Sequence, residues 1–139
     1  MRSIDKECIS SIEWPLIKFV ERGKKMIFAN PGRKPCLMVQ VDGCAIKEGD
    51  KCDKLLKIDT DCGGEYYVEL KGTDVAHALV QVEETIKKLH NDASPVNAYI
   101  ISTNVSPALT TKIQLFKVKF KKKYNANLKV KERICEETI

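Results

Sequence analysis

The sequence predicts a mixed α/β (α+β) domain in which a central mixed sheet is flanked by helices. Three observations predict this class. Short apolar runs of strand type occupy much of the first half, one amphipathic helical pattern follows residue 73, and strand and helix patterns alternate from there onward. A length of 139 residues suits one domain, residues 1–139, with one core.

The composition is that of a globular protein. Hydrophobic residues make up 43% of the chain and charged residues 31%, which argues against wholesale disorder. The sequence has no apolar run near the roughly 18 residues that a membrane span requires. Its charged N-terminus lacks the apolar segment of a signal peptide. We therefore expect a soluble, cytoplasmic protein without a membrane partner.

The N-terminal third predicts a broken helix followed by strands. Residues 5–22 carry apolar side chains at helical spacing, and Pro15 interrupts them, which predicts a short helix, a kink and a second turn. Strands are expected at residues 26–29 and 36–41, separated by a turn at residues 30–32. Asp42-Gly43 favours a two-residue hairpin turn with a short return strand over residues 44–47.

Two further strands are expected at residues 54–58 and 66–71, separated by a turn at residues 61–64. Side chains alternate across a strand, so Tyr67, Glu69 and Lys71 should share one face. The other face then carries Tyr66, Val68 and Leu70. Gly72 is expected to end the strand.

The second half alternates helix and strand. Thr73 is the expected N-cap of a helix whose apolar stripe recurs at intervals of three and four residues up to Leu89. A buried strand follows at residues 96–101. Ser106-Pro107 then has the form of a helix start, although residues 115–121 also fit an alternating strand. A short edge strand is expected at residues 128–131.

The six cysteines are widely and irregularly spaced and form no C-x-x-C pair. A zinc site is therefore poorly supported. In a chain without a secretion signal, we expect reduced thiols, several of them packed in the core.

Basic charge is concentrated near the C-terminus. Residues 112–133 contain nine basic residues and one acidic residue, whereas the whole chain has a net charge of +5. Such a surface suits a polyanionic partner, above all nucleic acid. The competing interpretation is a solvated lysine-rich helix that maintains solubility.

Glu69 and Lys71, two positions apart on a predicted strand, would form an ordinary ion pair if they stood alone. Asp53 lies 16 positions before Glu69, far enough for a strand, a turn and a strand back. An aspartate at a strand start followed by E-x-K on the next strand resembles the PD-(D/E)xK superfamily of restriction-endonuclease-like nucleases. The resemblance covers roughly residues 52–101. Cys52 replaces the proline of that pattern, and residues 59–61 offer rival aspartates.

The resemblance implies a restriction-endonuclease-like core that binds Mg²⁺ or Mn²⁺. The ligands would be the carboxylates of Asp53 and Glu69 and the main-chain carbonyl of Leu70. Lys71 would orient the attacking water, and Gln81 matches a glutamine that several branches place on the following helix. Nucleic acid would contact the lysine-rich segment, with these residues as the candidates: Lys117, Lys119, Lys121, Lys122 and Lys123.

The expected function is metal-dependent hydrolysis of phosphodiester bonds, with DNA favoured, including branched DNA or a defence or mobile-element substrate. The alternatives are a catalytically inactive nuclease-like domain that binds nucleic acid or a protein partner, and a plain protein-interaction module. Members of the superfamily also contribute a glutamate from the first helix, for which Glu13 is preferred over Glu7 and Glu21. A homodimer, with Trp14, Tyr66 and Tyr67 at its interface, is a further expectation.

Overall fold

A computed structural model describes residues 4–71 and 73–139, apart from the side chain of Lys71. Within that part, the chain forms nine strands, two α-helices and two short 3-10 turns, at Lys6–Cys8 and Pro107–Leu109. The strands and helices have these bounds: β1 Ile9–Ile12, β2 Leu16–Glu21, β3 Lys24–Ala29, β4 Cys36–Gln40, β5 Lys54–Ile58, β6 Glu65–Lys71, α1 Val75–Leu89, β7 Val96–Ser102, α2 Thr110–Tyr124, β8 Ala126–Glu132 and β9 Ile134–Thr138.

The predicted mixed α+β class is confirmed. A six-stranded sheet has the order β1-β4-β5-β6-β7-β8, and a three-stranded sheet has the order β2-β3-β9. Neighbouring strands from β1 to β6 of the larger sheet are antiparallel, whereas β6, β7 and β8 run parallel. Parallel neighbours require a crossover connection, and α1 and α2 supply the two that are needed.

Two apolar clusters cover the two faces of the six-stranded sheet. On one face, Leu55 packs in a cluster with Leu79 of α1. On the other face, Val68 packs in a cluster with Phe28 of the small sheet. The molecule therefore has three layers, which are the helices, the large sheet and the small sheet. Burial on both faces explains why β7 reads as a continuous apolar run.

The strands β6, β7 and β8 end together at one edge of the large sheet, which we call the carboxyl edge. In the parallel register Lys71 lies beside Ser102, and Ser102 lies beside Glu132. Both helices begin at this edge and run away from it. Each has 15 residues and is therefore about 22 Å long. Their C-terminal turns lie at the opposite edge, which we call the amino edge.

The helix predicted for residues 5–22 is wrong. Segment Ile9–Ile12 pairs with β4 and segment Leu16–Glu21 pairs with β3, both antiparallel. In β2, Ile17 and Phe19 are buried while the intervening positions are exposed. Because these strands carry apolar residues on both faces, the spacing of those residues also fitted a helix. Pairing with β3 and β4 favours the strands.

Residues 41–53 form a loop in place of the predicted hairpin and return strand. One isolated bridge joins Asp42 to Ile46. The main-chain N–H groups of Val41 and Asp42 donate to the carbonyl of Asp53, at 3.1 and 3.4 Å. The loop thus folds back onto the residue that precedes β5.

A disulfide joins Cys8 to Cys44, so the expectation of reduced thiols is wrong for this pair. The two residues are 36 positions apart, and only the folding of the loop over the N-terminal turn brings them together. The other four cysteines are free thiols, of which Cys62 is exposed and the rest are buried.

The elements predicted after residue 53 are confirmed with small shifts. The N-cap of α1 is Asp74 rather than Thr73, and its carboxylate accepts a hydrogen bond from the His77 N–H at 3.0 Å. Ser106 caps the turn that leads into α2, which excludes a strand at residues 115–121. β8 is an edge strand as predicted, whereas β9 was not predicted. No helix in residues 4–71 and 73–139 is long and apolar enough to cross a membrane.

Candidate functional site

The carboxylate of Asp53 lies against the main chain of β6. Asp53 directly precedes β5, and the antiparallel register sets Lys54 beside Val68. The Asp53 N–H donates to the Val68 carbonyl at 3.1 Å. Asp53 Oδ2 in turn accepts a hydrogen bond from the Leu70 N–H at 2.9 Å. Antiparallel pairing therefore places Asp53 beside the end of the strand that carries Glu69, as predicted.

Glu69 is buried on the helix side of β6, with 3% of its surface exposed. Alternation places it on the same face as Tyr67, which belongs to the cluster under α1. Burial raises the pKa of the Cys52 thiol, and a hydrogen bond with Thr85 lowers it. The negative charges of Glu69 and Asp53 raise the pKa further. Both carboxylates therefore lie within electrostatic range of one sulfur atom.

Negative charge collects around Asp53. Burial raises the pKa of its carboxyl group, the hydrogen bond from the Leu70 N–H lowers it, and the carboxylates of Glu21 and Asp42 raise it again. Lys54 opposes them, but the net shift of the pKa is upward. The surroundings of Asp53 thus disfavour its ionised form, and a bound cation would offset that repulsion.

The oxygen donors at this edge are of the type that Mg²⁺ and Mn²⁺ prefer. They are the carboxylates of Asp53 and Glu69 and the main-chain carbonyl of Leu70. Among the described residues, no group of three or more histidine, cysteine or acidic side chains forms a preassembled metal centre. Mg²⁺ is commonly held by one or two carboxylates while water and substrate phosphate complete its shell. The donor set therefore fits such an ion in type and number.

Lys71 is the last residue of β6 and lies beside Ser102 in the register with β7. Its side chain lies outside the described residues, as does Gly72 as a whole. The expected position of the Lys71 ammonium group on the face of Glu69 therefore stays a prediction.

The helix α1 is anchored to the residue that precedes Asp53. The Cys52 N–H donates to Thr85 Oγ1, and the Thr85 hydroxyl donates to the Gln81 carbonyl, both at 2.8 Å. Oε1 of Gln81 is buried and accepts no hydrogen bond from any described residue. Gln81 therefore carries a buried acceptor on the side of α1 that faces the Cys52–Asp53 main chain. A regular helical pattern predicted this helix, but nothing local indicated the Thr85 anchor.

His77 lies one helical turn before Gln81. Its Nε2 is 3.3 Å from Oδ1 of Asp50, and both side chains are largely exposed. The contact joins the first turn of α1 to the loop at residues 41–53. Its position at the surface suits a structural contact between the helix and the loop.

The N-terminal glutamate nearest to the site is Glu21 rather than the preferred Glu13. Glu13 follows β1, whose final pair with β4 lies beside Ile58 at the amino edge. Glu21 ends β2 and raises the pKa of Asp53, so it lies within electrostatic range of that carboxylate. The preference for Glu13 depended on a helix that does not form.

The predicted nucleic-acid-binding lysines lie on α2, in the helix layer. Lys119 donates to Oε1 of Glu83 at 2.9 Å, and Lys123 lies 4.0 Å from Oε2 of the same carboxylate. Lys121 lies 3.5 Å from the side-chain oxygen of Asn127. Lys119 is therefore engaged by Glu83 and is less available to a phosphate than its neighbours.

Position along α2 separates these lysines further. Lys121, Lys122 and Lys123 occupy the last turn of α2, at the amino edge. There they also offset the negative end of the helix dipole. Lys117 lies in the middle of the helix and lines a groove with Lys131 that opens toward the carboxyl edge. The candidate lysines therefore occupy the second half of α2, from its middle to its last turn.

The aromatic residues expected at a dimer interface divide between surface and core. Trp14 is exposed. Tyr67 is fully buried and donates to Oε1 of Glu65 at 2.8 Å, and Tyr66 packs edge-on against Phe28. Tyr67 therefore belongs to the interior, whereas Tyr66 is half-buried against the small sheet.

Comparison of the chain with protein-family models, with curated proteins and with solved structures gave no significant match.

Proposed function

We propose that the protein is a metal-dependent nuclease, an endonuclease that hydrolyses phosphodiester bonds in DNA. The observation that supports this most directly is the hydrogen bond between Asp53 Oδ2 and the Leu70 N–H at 2.9 Å. It brings the upstream aspartate onto the middle residue of Glu69-Leu70-Lys71. An aspartate and an E-x-K tripeptide from two paired strands thereby meet at one edge of the sheet.

Asp53, Glu69 and the Leu70 carbonyl would hold Mg²⁺ or Mn²⁺. When bound, such an ion supplies positive charge at the scissile phosphate and lowers the pKa of a water molecule. The Leu70 N–H fixes the orientation of the Asp53 carboxylate, so the carboxylate does not have to be ordered when substrate arrives. Glu69 is buried, so solvent would screen its interaction with a bound cation only weakly.

Lys71 and Gln81 are assigned to the attacking water. Lys71 would orient that water and offset charge that develops on the phosphate oxygens. Gln81 offers its buried Oε1 as an acceptor for the water or for the Lys71 ammonium group. The lysines of α2 would hold the nucleic-acid backbone across the helix layer.

A second candidate is a nuclease-like domain that binds nucleic acid or a protein partner without cutting. It is favoured by the lysines of α2, which can hold a polyanion without any metal. Under this alternative Glu69 and Lys71 form an ion pair. Binding of DNA that does not change when metal is removed, together with an absence of cleavage, would support it.

We assign this activity to the cytoplasm as part of the same proposal. The Cys8–Cys44 disulfide is more typical of oxidising compartments. Alkylation of free thiols in freshly lysed cells, followed by mass spectrometry of the two cysteines, distinguishes the locations. A fully alkylated pair supports the cytoplasm, and a fully bonded pair contradicts it.

A cleavage assay tests the proposed function. Circular, linear, single-stranded and branched DNA and RNA are incubated with Mg²⁺, Mn²⁺ or EDTA, using wild type, Asp53→Asn and Glu69→Gln. We expect metal-dependent cleavage of DNA that each variant slows at least about 100-fold, because each loses a charged ligand. Glu13→Gln, an exposed carboxylate at the amino edge, is the matched control and should cleave as wild type does.

Two results would overturn the proposal. Cleavage that persists in EDTA would exclude the metal, and cleavage at the wild-type rate by Glu69→Gln would exclude the site. Isothermal titration with Mn²⁺ alone provides a readout without turnover, in which Asp53→Asn and Glu69→Gln should each weaken binding.

A further inference from the structure

The outer surface of the three-stranded sheet faces away from the rest of the molecule. In β2, β3 and β9 alternate residues point into the core, and the remaining residues point outward. The pairing registers arrange the outward residues in three rows across the sheet. We call this surface the outer face; its rows are Leu16-Ala29-Thr138, Lys18-Ile27-Glu136 and Val20-Lys25-Ile134.

The outer face is unusually apolar for a surface that meets water. Leu16, Val20 and Ile134 are 47%, 57% and 49% exposed, and Trp14, two residues before β2, is 52% exposed. These four are most of the large apolar side chains that the described part of the chain exposes. Exposed apolar side chains that gather on one face mark interaction surfaces more often than isolated exposed residues do.

Opposite charges flank the centre of the outer face. Lys18 and Glu136 lie in the same row, on either side of Ile27. One strand separates them, about 9–10 Å in all, so they are too far apart to pair with each other. Each is exposed. The central row therefore carries one positive and one negative group placed symmetrically about an apolar residue.

We propose that this outer face binds a second copy of the chain, sheet against sheet, about a two-fold axis that runs parallel to the strands and lies over β3, midway between the two outer faces. Such an axis sets β2 of one copy over β9 of the other. Lys18 then faces Glu136 of the second copy, and this pair occurs twice. Val20 likewise faces Ile134, and Ile27 faces its own equivalent.

The charges select this axis over the alternative. A two-fold axis across the strands would place Lys18 over Lys18 and Glu136 over Glu136, both repulsive. With the axis parallel to the strands, the one unfavourable contact is between the two Lys25 side chains. Lys25 lies in the row nearest the β2–β3 turn, where its long side chain can extend into solvent.

The size of the outer face predicts a weak dimer. Three strands of five or six residues present a surface that buries roughly 400–500 Å² per copy, on the order of 1,000 Å² in total. This lies at the low end for specific interfaces, where complexes are transient. The dimer should therefore be weak and dissociate on dilution. Asp53 lies at the carboxyl edge of the large sheet and α2 lies in the helix layer, so neither belongs to the outer face and this proposal is independent of the nuclease activity.

Sedimentation velocity over a hundredfold range of concentration, combined with charge reversal, tests the proposal. Lys18→Glu and Glu136→Lys should each weaken self-association at least tenfold, because each makes two repulsive contacts. An equimolar mixture of the two variants should associate at least as well as wild type, since both pairs across the interface are then attractive. The double variant should recover wild-type self-association.

Lys122→Glu, an exposed charge reversal on α2, is the matched control and should dimerise as wild type does. Val20→Lys should abolish the dimer without lowering the thermal unfolding midpoint, which checks that loss of association is not loss of folding. A chain that stays monomeric at several hundred micromolar would overturn the proposal. So would a dimer that survives Val20→Lys, or single charge reversals that the mixture does not rescue.

Discussion

Asp53, a ligand in the proposed cation site, has surroundings that disfavour its own charge. Its oxygen is held by the Leu70 N–H, while Glu21 and Asp42 add negative charge nearby. The raised pKa shows that the fold disfavours the ionised form. Such a balance is typical of binding sites, where charges are placed for a ligand and not for the free protein.

The Asp53→Asn variant should be at least as stable as the wild type at pH 7 in EDTA. A raised folded-state pKa means that ionised Asp53 destabilises the fold above its unfolded-state pKa of about 3.9. The amide removes that charge and keeps an oxygen for the Leu70 N–H. Urea denaturation measures the free energy of unfolding. A loss of more than about 1 kcal/mol would show that the charge itself stabilises the fold.

Glu65 is a buried carboxylate that is surrounded by hydrogen-bond partners from the protein. It is fully buried and accepts hydrogen bonds from the Tyr67 hydroxyl at 2.8 Å and the Asn91 N–H at 3.0 Å, with Nδ1 of His90 also at 2.8 Å. These donors all come from the protein. Glu65 therefore has a structural role at the amino edge, where it links β6 to the residues that follow α1.

At the scale of elements, Glu83 links the two helices. Its carboxylate on α1 accepts hydrogen bonds from Lys119 and from the Tyr124 hydroxyl, both on α2, at 2.9 and 2.8 Å. Burial by itself raises the pKa of Glu83, but the hydrogen bonds and charge of Lys119 and the bond from Tyr124 lower it more. The helix layer thus depends partly on an ionised Glu83.

This link should make stability depend on acid pH. A lowered folded-state pKa means that ionised Glu83 stabilises the fold above its unfolded-state pKa of about 4.3, and that this contribution is lost as pH falls through the lower folded value. The free energy of unfolding of wild type should therefore decline more steeply below pH 5 than that of Glu83→Gln. Denaturant titrations from pH 3 to pH 7 compare the slopes. Equal slopes would contradict the assignment.

Whole-molecule organisation separates the proposed functions. The helix layer carries the lysines, the large sheet carries the candidate metal ligands at its carboxyl edge, and the small sheet carries the outer face. A polyanion bound across α2 and a second copy bound to the outer face would occupy opposite sides of the molecule. Neither would obstruct the other.

Salt dependence of DNA binding in EDTA tests the basic surface at this scale. Each phosphate contact that is lost should lower the slope of log affinity against log salt by about 0.9. We expect Lys122→Ala to show that decrease and Lys119→Ala to show less, because the Lys119 ammonium lies 2.9 Å from Glu83. Fluorescence anisotropy with a labelled duplex measures both slopes. A larger effect of Lys119→Ala than of Lys122→Ala would show that the helix presents another side to the DNA.

The sequence by itself determined the mixed fold class, the helix α1 and the strands between residues 54 and 132, and it favoured the helix α2 over an alternative strand. It also predicted that Asp53 meets the strand of Glu69. The helices and strands follow from local periodicity. The meeting of Asp53 with β6 follows from the short turn between β5 and β6, because two strands joined by a short turn pair antiparallel. Burial of β7 on both faces gave an equally readable apolar run.

Only the tertiary structure decided the N-terminal third, the disulfide and the second sheet. Residues 5–22 carry apolar side chains that suit either a helix or a strand, and pairing with β3 and β4 resolved this. β3 lies parallel to β9, which is more than a hundred residues away in the chain, and Cys8 meets Cys44 across a folded loop. Such contacts depend on which edges remain open after the core has formed, and no local pattern encodes that. The proximity of Glu21 to Asp53 follows from the same packing.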